Sequence, residues 1–249
     1  MFTIKPERKQ FIVYSDNRNT GFKKNQIHKK LLKLIKKEQK DLILHVGDIV
    51  FWRLAWRSYF RDLKYANIKV PIFYTRGNHD NKLLFRKFFK LEYSYYSINY
   101  GFVHLIMLDD NRGILDKKQY EWLLDDLKKY NDFKCKIVFA HKPLYSGANH
   151  GVRKHLIEQL EPLFKEFNVK LIISSHYHNY ERLRENGITY IVSAGGGAPL
   201  TELMNNRPQL IKHETKYHYL VISIGLAKIS IIVNDIDEKE IDRFKIEII

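Results

Sequence analysis

The sequence predicts an α/β chain in which mixed β-sheets stack on one another with helices outside. Three observations predict this. Short apolar runs alternate with helical patterns as far as residue 174, the chain beyond residue 187 reads as strand throughout, and no linker-like low-complexity stretch or internal repeat breaks either part. With 249 residues, 45% of them hydrophobic, there is material for one large core, so a single domain over 1–249 is expected rather than disorder.

The apolar run Phe11-Ile12-Val13 opens a strand over 11–15. Ile27, Leu31, Leu34 and Ile35 then recur at helical spacing and predict a helix over 24–39. The alternation continues with a strand at 42–46, a helix at 53–65, a strand at 71–74 and a helix at 81–90. Residues 94–100 and 103–109 read as a hairpin. The helix at 117–130 is the best signalled, because Asp116 and Gln119 stand in capping-box positions and Tyr120, Leu123, Leu124 and Leu127 share a face. A strand at 136–140, a helix at 154–167 and a strand at 170–174 complete the alternating part. Strands follow at 188–193, 217–224, 227–234 and 241–248, with turns such as Gly225-Leu226 between them.

Charge narrows the partners only in a general way. There are 43 Lys plus Arg against 28 Asp plus Glu, a net +15 that favours anions. Much of it lies in KKNQIHKKLLKLIKKEQK, residues 23–40, where the lysines fall mainly off the apolar stripe and read as a solvated outer face; a nucleic-acid platform is the alternative. Tyr95 and Tyr96 beside Lys90 are the aromatics placed to stack bases in that alternative. The single cysteine, Cys135, excludes a disulfide within the chain and reads as a packed thiol. The opening MFTIKPERKQ carries no apolar signal core, and no apolar segment approaches the roughly 18 residues of a membrane helix, so a cytoplasmic protein with no membrane partner is expected.

Five polar clusters interrupt this framework. They are Asp16 in YSDNR, Gly47-Asp48 in HVGDIVF, Gly77-Asn78-His79-Asp80 in TRGNHD, His141 in FAHKPL, and His176 with His178 in SSHYHNYER. Four of them adjoin an apolar strand, and loops at the carboxyl ends of strands in an open α/β sheet converge on one crevice. Carboxylate, imidazole and one neutral amide oxygen make a mixed N/O donor set that suits Mn, Fe, Co, Ni or Zn better than Ca or Mg. A single Gly-Asp or His-x-His is usually a turn or a surface feature; five such clusters in this order are far more specific.

In that order the clusters resemble the calcineurin-like metallophosphoesterases, whose pattern is Asp-x-His, Gly-Asp, Gly-Asn-His-Asp/Glu, a single His, then Gly-His-x-His. The resemblance runs from about Phe11 to Leu200, and HYHNYER, AHKPLYSGANHG and YIVSAGGGAPL are most similar to the purple acid phosphatase branch and its prokaryotic relatives. It implies a four-layer α/β/β/α sandwich and hydrolysis of phosphoric esters by metal-bound hydroxide at a centre of two divalent or trivalent transition-metal ions. By position, Asp48 is implied to bridge the metals, with Asn78, His141 and His176 completing one site and Asp16 and His178 serving the other. His79, held and made more basic by Asp80, is implied to face the scissile ester. The expected partner is a small phosphoester, with nuclease or phosphodiesterase action on nucleic acid as the alternative and a non-catalytic metal-binding scaffold as a further one. No oligomeric state follows.

This chain departs from the pattern in three places. The family's first histidine is Arg18, whose guanidinium has no lone pair to offer a metal. The tyrosine that serves the purple branch three residues after the second aspartate is Phe51, and Ser175 stands where glycine is usual. The first metal site is therefore left with Asp16, Asp48 and His178. Arg18 reads either as a clamp on substrate phosphate or as the partner of a local carboxylate such as Asp110, with a displaced or absent first metal as a third possibility. Tyr145, Asn149 and His150, in the loop after a ligand strand, are further candidate substrate contacts. Gly195-Gly196-Gly197 lacks a following Lys-Ser/Thr and reads as a strand-end turn that brings backbone close to the metals, while His45 and His104, inside apolar strands, read as core histidines.

Overall fold

The computed structural model of the protein describes residues 2–19, 25–148 and 153–248. Strands β1 (Phe2–Ile4) to β14 (Glu240–Glu247) form two sheets. The six-stranded sheet has the order β14, β13 (Lys228–Asp235), β12 (His218–Ile224), β2 (Gln10–Tyr14), β3 (Leu42–His45), β4 (Ile72–Tyr74). The eight-stranded sheet has the order β1, β5 (Tyr96–Tyr100), β6 (Val103–Met107), β7 (Cys135–Phe139), β8 (Val169–Ser174), β10 (Ile188–Ser193), β9 (Tyr180–Glu185), β11 (Leu210–Glu214). Both are mixed: β2, β3 and β4 are parallel, as are β6, β7 and β8, while β12 and β9 pair antiparallel to their neighbours.

Period-two alternation builds the layers. Phe11, Val13, Leu42 and Leu44 point between the sheets to meet Leu105, Ile137 and Ile173, whereas Ile12 and Ile43 face α1 (Gln26–Lys37). The helices α2 (Trp56–Ala66) and α3 (Lys82–Phe89) join α1 on that side. On the other side α4 (Lys117–Lys129) and α5 (Lys154–Glu166) cover the eight-stranded sheet through Leu123, Leu127, Leu156 and Leu160. The result is the expected α/β/β/α sandwich.

Every expected element forms within a few residues of its expected bounds, and three strands are additional: β1, β9 and β11. β9 was hidden by its charges. Its sequence YERLRE shows no apolar run, yet Glu181 is buried and Arg182 bonds Asp242 at 2.8 Å. The turn into β10 does carry a signal: Asn186 (φ 49°) and Gly187 (φ 80°) are the left-handed pair of a two-residue hairpin loop. On α1 the exposed Lys30 and Lys37 meet Asp237 and Glu238 at 2.7 and 3.0 Å. Such exposed pairs contribute little to stability, as the reading of a solvated face expects. Among the described residues no helix is long and apolar enough to cross a membrane.

Candidate metal centre

The five clusters lie just after the carboxyl ends of β2, β3, β4, β7 and β8, so the parallel strands of both sheets deliver them to one edge of the sandwich. Asp48, His141 and His176 converge there, each offering a ligand atom within 4.8 Å of the others. Asn78 joins them, its Oδ1 standing 3.0 Å from His141 Nε2. His178 Nε2 and Asp16 Oδ1 lie 3.4 Å apart. The structure thus brings together all six residues expected to hold metal, as a cluster of four and a pair.

Several of them hold unusual backbone angles. Asp16 (φ 55°), Arg18 (φ 41°), Asp48 (φ 53°) and His176 (φ 74°) all occupy the left-handed region, which costs on the order of 1–3 kcal/mol per residue. Neighbouring structure compensates. The loops carrying Asp16 and Asp48 are laced together by Asp16 N to Gly47 O, Arg18 N to Asp48 O and Asn19 N to Ile49 O, at 3.0 to 3.1 Å. A Cβ on Gly77 would lie 2.0 Å from the Asp48 backbone nitrogen, so only glycine lets these two ligand loops touch. The glycine run packs against the Asp16 loop: a Cβ on Gly196 would lie 1.9 Å from Ser15 O, and Ala198 N donates to Asp16 O at 2.8 Å.

The tautomers follow from the outer hydrogen bonds. His141 Nδ1 is 3.0 Å from the Val46 carbonyl, which can only accept, so that nitrogen carries the proton and Nε2 turns toward Asp48 Oδ1 at 3.4 Å and Asn78 Oδ1. His178 Nδ1 donates in the same way to the Pro199 carbonyl at 2.6 Å, which leaves Nε2 facing Asp16 Oδ1. Lone pairs therefore face lone pairs unless a cation, proton or metal, lies between. Among the described residues, buried Asp16 Oδ1, His178 Nε2 and His176 Nδ1 have no hydrogen-bond partner. These orphaned atoms are of the types a transition metal takes, and the donor set fits such ions.

Electrostatics point the same way. Burial pushes the Asp16 carboxyl up, but His178, His141 and the Ser15 hydroxyl outweigh it and hold it well below the usual range. Burial likewise opposes charge on His141, yet Asp48 and Asp16 hold its pKa above the ordinary value. Burial first, then the charge of His141, pushes His176 down to about 3, so its ring is neutral at physiological pH and free to ligate.

Three expectations about individual residues need correction. Arg18 does pair with a carboxylate, but that of Asp48 rather than Asp110: its Nε and Nη2 each lie 3.0 Å from Asp48 Oδ2. Asp110 instead accepts from the backbone N–H groups of His141 and Lys142 at 3.1 and 2.9 Å, bracing that loop. Asp80 does not hold His79. It is fully buried, and its oxygens accept from the N–H groups of Ile49, Val50 and Gly77, because three converging backbone donors solvate a carboxylate better than one imidazole does. Burial and its neighbour Asp48 push it up to about 7 despite those bonds. The His79 ring is oriented by Phe51, whose carbonyl lies 3.3 Å from Nδ1 and whose ring stacks on it at 4.9 Å. Burial therefore lowers the pKa of His79, with Asp48 opposing and Arg18 reinforcing the shift. Tyr145 turns away from the site: it is buried against Tyr190, with its hydroxyl 3.3 Å from Glu161. Asn149 and His150 lie outside the described residues.

Ser175 is more than a tolerated substitute for glycine, since its hydroxyl donates to Val46 O at 2.5 Å beside His141 Nδ1. His45 and His104 are satisfied core histidines, bonded to Asn17 at 2.6 Å and to Asn99 and Asp126 at 2.7 and 2.6 Å.

Residues 13–180 match the family model described as Calcineurin-like phosphoesterase. Among curated proteins, the chain is similar to the probable inactive purple acid phosphatase 9 of Arabidopsis thaliana, 35% identical over 95 residues that cover 35% of this chain and 15% of that protein. It is also similar to purple acid phosphatase 15 of the same plant, 28% identical over 172 residues that cover 57% of this chain and 32% of that protein. The matched stretches are thus a third or less of those relatives' length. Among solved structures, a purple acid phosphatase from yellow lupin (Lupinus luteus) seeds superimposes with a TM-score of 0.84 at 18% identity, covering 96% of this chain and 53% of that one. At that identity the likeness is one of fold.

Proposed function

The chain belongs to the calcineurin-like phosphoesterase family, and from that membership we propose that it is a metal-dependent phosphoric-ester hydrolase acting on small phosphoesters. The observation that carries this reading is the convergence of Asp48, His141 and His176 with Asn78 from four separate loops. In the proposed centre Asp48, Asn78, His141 and His176 hold one transition-metal ion, and Asp16, His178 and a shared Asp48 hold a second. Metal ions there would polarise the phosphoryl oxygens and lower the pKa of water. Asn78 contributes a neutral oxygen that adds no charge to repel the phosphate. His79 takes no place in the carboxylate–imidazole cluster and stands at its edge, with Nε2 3.9 Å from Asp48 Oδ2, where it can protonate a departing oxygen.

Chelated protein should lose at least ~100-fold of its activity on a panel of monoesters and diesters, and Mn, Fe, Co, Ni or Zn should restore it. Hydrolysis indifferent to chelation, or none of any ester with any of these metals, overturns the reading. Steep salt inhibition confined to nucleic-acid substrates would instead favour nuclease action.

Arg18 makes the two metal sites unequal. Its guanidinium occupies Asp48 Oδ2, so the Asp16–His178 site competes with an ion pair already formed. We expect calorimetric metal titration to resolve a tight site and one at least ~10-fold weaker, and Arg18→His to bring the two together, because the competing cation gives way to a ligand. The released guanidinium is also positioned to grip substrate phosphate, so the same variant should show a raised KM. Equal sites in the unmodified protein would reduce Arg18 to a structural neighbour.

A further inference from the structure

The loop that follows Asp48 exposes a set of large apolar side chains at the edge of the centre. Phe51, Trp52 and Leu54 are 37%, 47% and 75% exposed. Isolated exposed apolar residues are ordinary, but three within four positions beside polar machinery mark a contact surface. The two aromatics are joined to the proposed chemistry through His79. The Phe51 ring lies 4.9 Å from the His79 ring at 23°, and Trp52 meets Phe51 edge-on at 4.8 Å and 85°.

The loop is braced. Phe51 N donates to Asn19 O and Ala55 N to Trp52 O, both at 2.9 Å, and Asn19 bridges to Val50 in parallel fashion. The backbone of the aromatic pair is thus held against the same loops that carry Asp16 and Asp48. A ring stacked there would find an apolar floor and an imidazole at one end.

We propose that Phe51 and Trp52 form a platform for the leaving group, and that the preferred phosphoester carries an aromatic ring on its departing alcohol. This rests on the proposed hydrolase reading, since His79 is what places the platform on the leaving side of the ester. A ring bound to Trp52 sets the departing oxygen near His79, so the platform contributes to turnover as well as to affinity.

The test compares benzyl phosphate with ethyl phosphate, whose leaving alcohols have similar basicity, and adenosine 5′-monophosphate with ribose 5-phosphate. Benzyl should be preferred by ~10-fold or more in kcat/KM, an advantage of the order one stacked ring provides. That preference should fall toward unity in Trp52→Leu and return in Trp52→Phe. A matching preference for the adenosine ester identifies a nucleobase as the ring; a preference for benzyl alone identifies a simple aryl group. A non-hydrolysable probe separates this proposal from the fate of the hydrolase reading. Benzylphosphonate should quench tryptophan fluorescence in the metal-loaded protein, and the quench should disappear in Trp52→Phe even if no ester is turned over. Equal kcat/KM for benzyl and ethyl phosphate, or a quench unchanged in Trp52→Phe, overturns the platform.

Discussion

Asp48→Asn should lower phosphoester hydrolysis by ~100-fold or more at saturating metal while leaving the fold in place. The carboxylate has several partners in the site: Oδ1 lies 3.4 Å from His141 and accepts from His79 N at 2.9 Å, and Oδ2 holds Arg18. Asparagine can keep the bond from His79 N, but it removes the charge that two cations would share. Arg18, whose side chain is 19% exposed, can turn to water when its partner is lost. Because Asp48 itself is fully buried, loss of the pair should lower the thermal midpoint by more than an exposed ion pair would, with the fold retained. Turnover within ~10-fold of the unmodified protein would sink the model of a shared carboxylate.

His79→Asn should cost ~100-fold to 10,000-fold in kcat while metal titration stays unchanged, because in the proposed centre the ring would serve as a proton donor and hold no metal. With Nδ1 committed as donor to the Phe51 carbonyl, Nε2 carries a proton only in the cationic ring. Burial lowers the pKa of that cation, which makes it a stronger acid but confines it to lower pH. Activity that depends on it is full below the lowered pKa and falls as pH rises through it, and this limb of the rate profile should vanish in His79→Asn. Loss of metal affinity in that variant, or an unchanged profile, would assign His79 a ligand or structural role instead.

The local pattern was enough to reach the alternating elements and the five polar clusters, while the choice of six donors among them came from the family resemblance. Runs such as Phe11-Ile12-Val13 and the stripe Leu31, Leu34, Ile35 encode burial by period alone, and the donors follow strands whose carboxyl ends must share an edge. Strand β9 escaped because its buried Glu181 and half-buried Arg182 are satisfied by Ser146, Gly147 and Asp242, partners 34 to 60 positions away. The same reason governs the partners within the site. Asp80 stands beside His79 in sequence, and Asp110 is a carboxylate near the ligand strand, so adjacency made them the expected partners. Tertiary packing instead offered Asp80 three backbone N–H groups and offered Arg18 the oxygen of Asp48. A charge in a buried loop pairs with whatever the fold brings within about 3 Å, and here that is decided by β2, β3 and β4 lying side by side in one sheet, an order no local periodicity encodes.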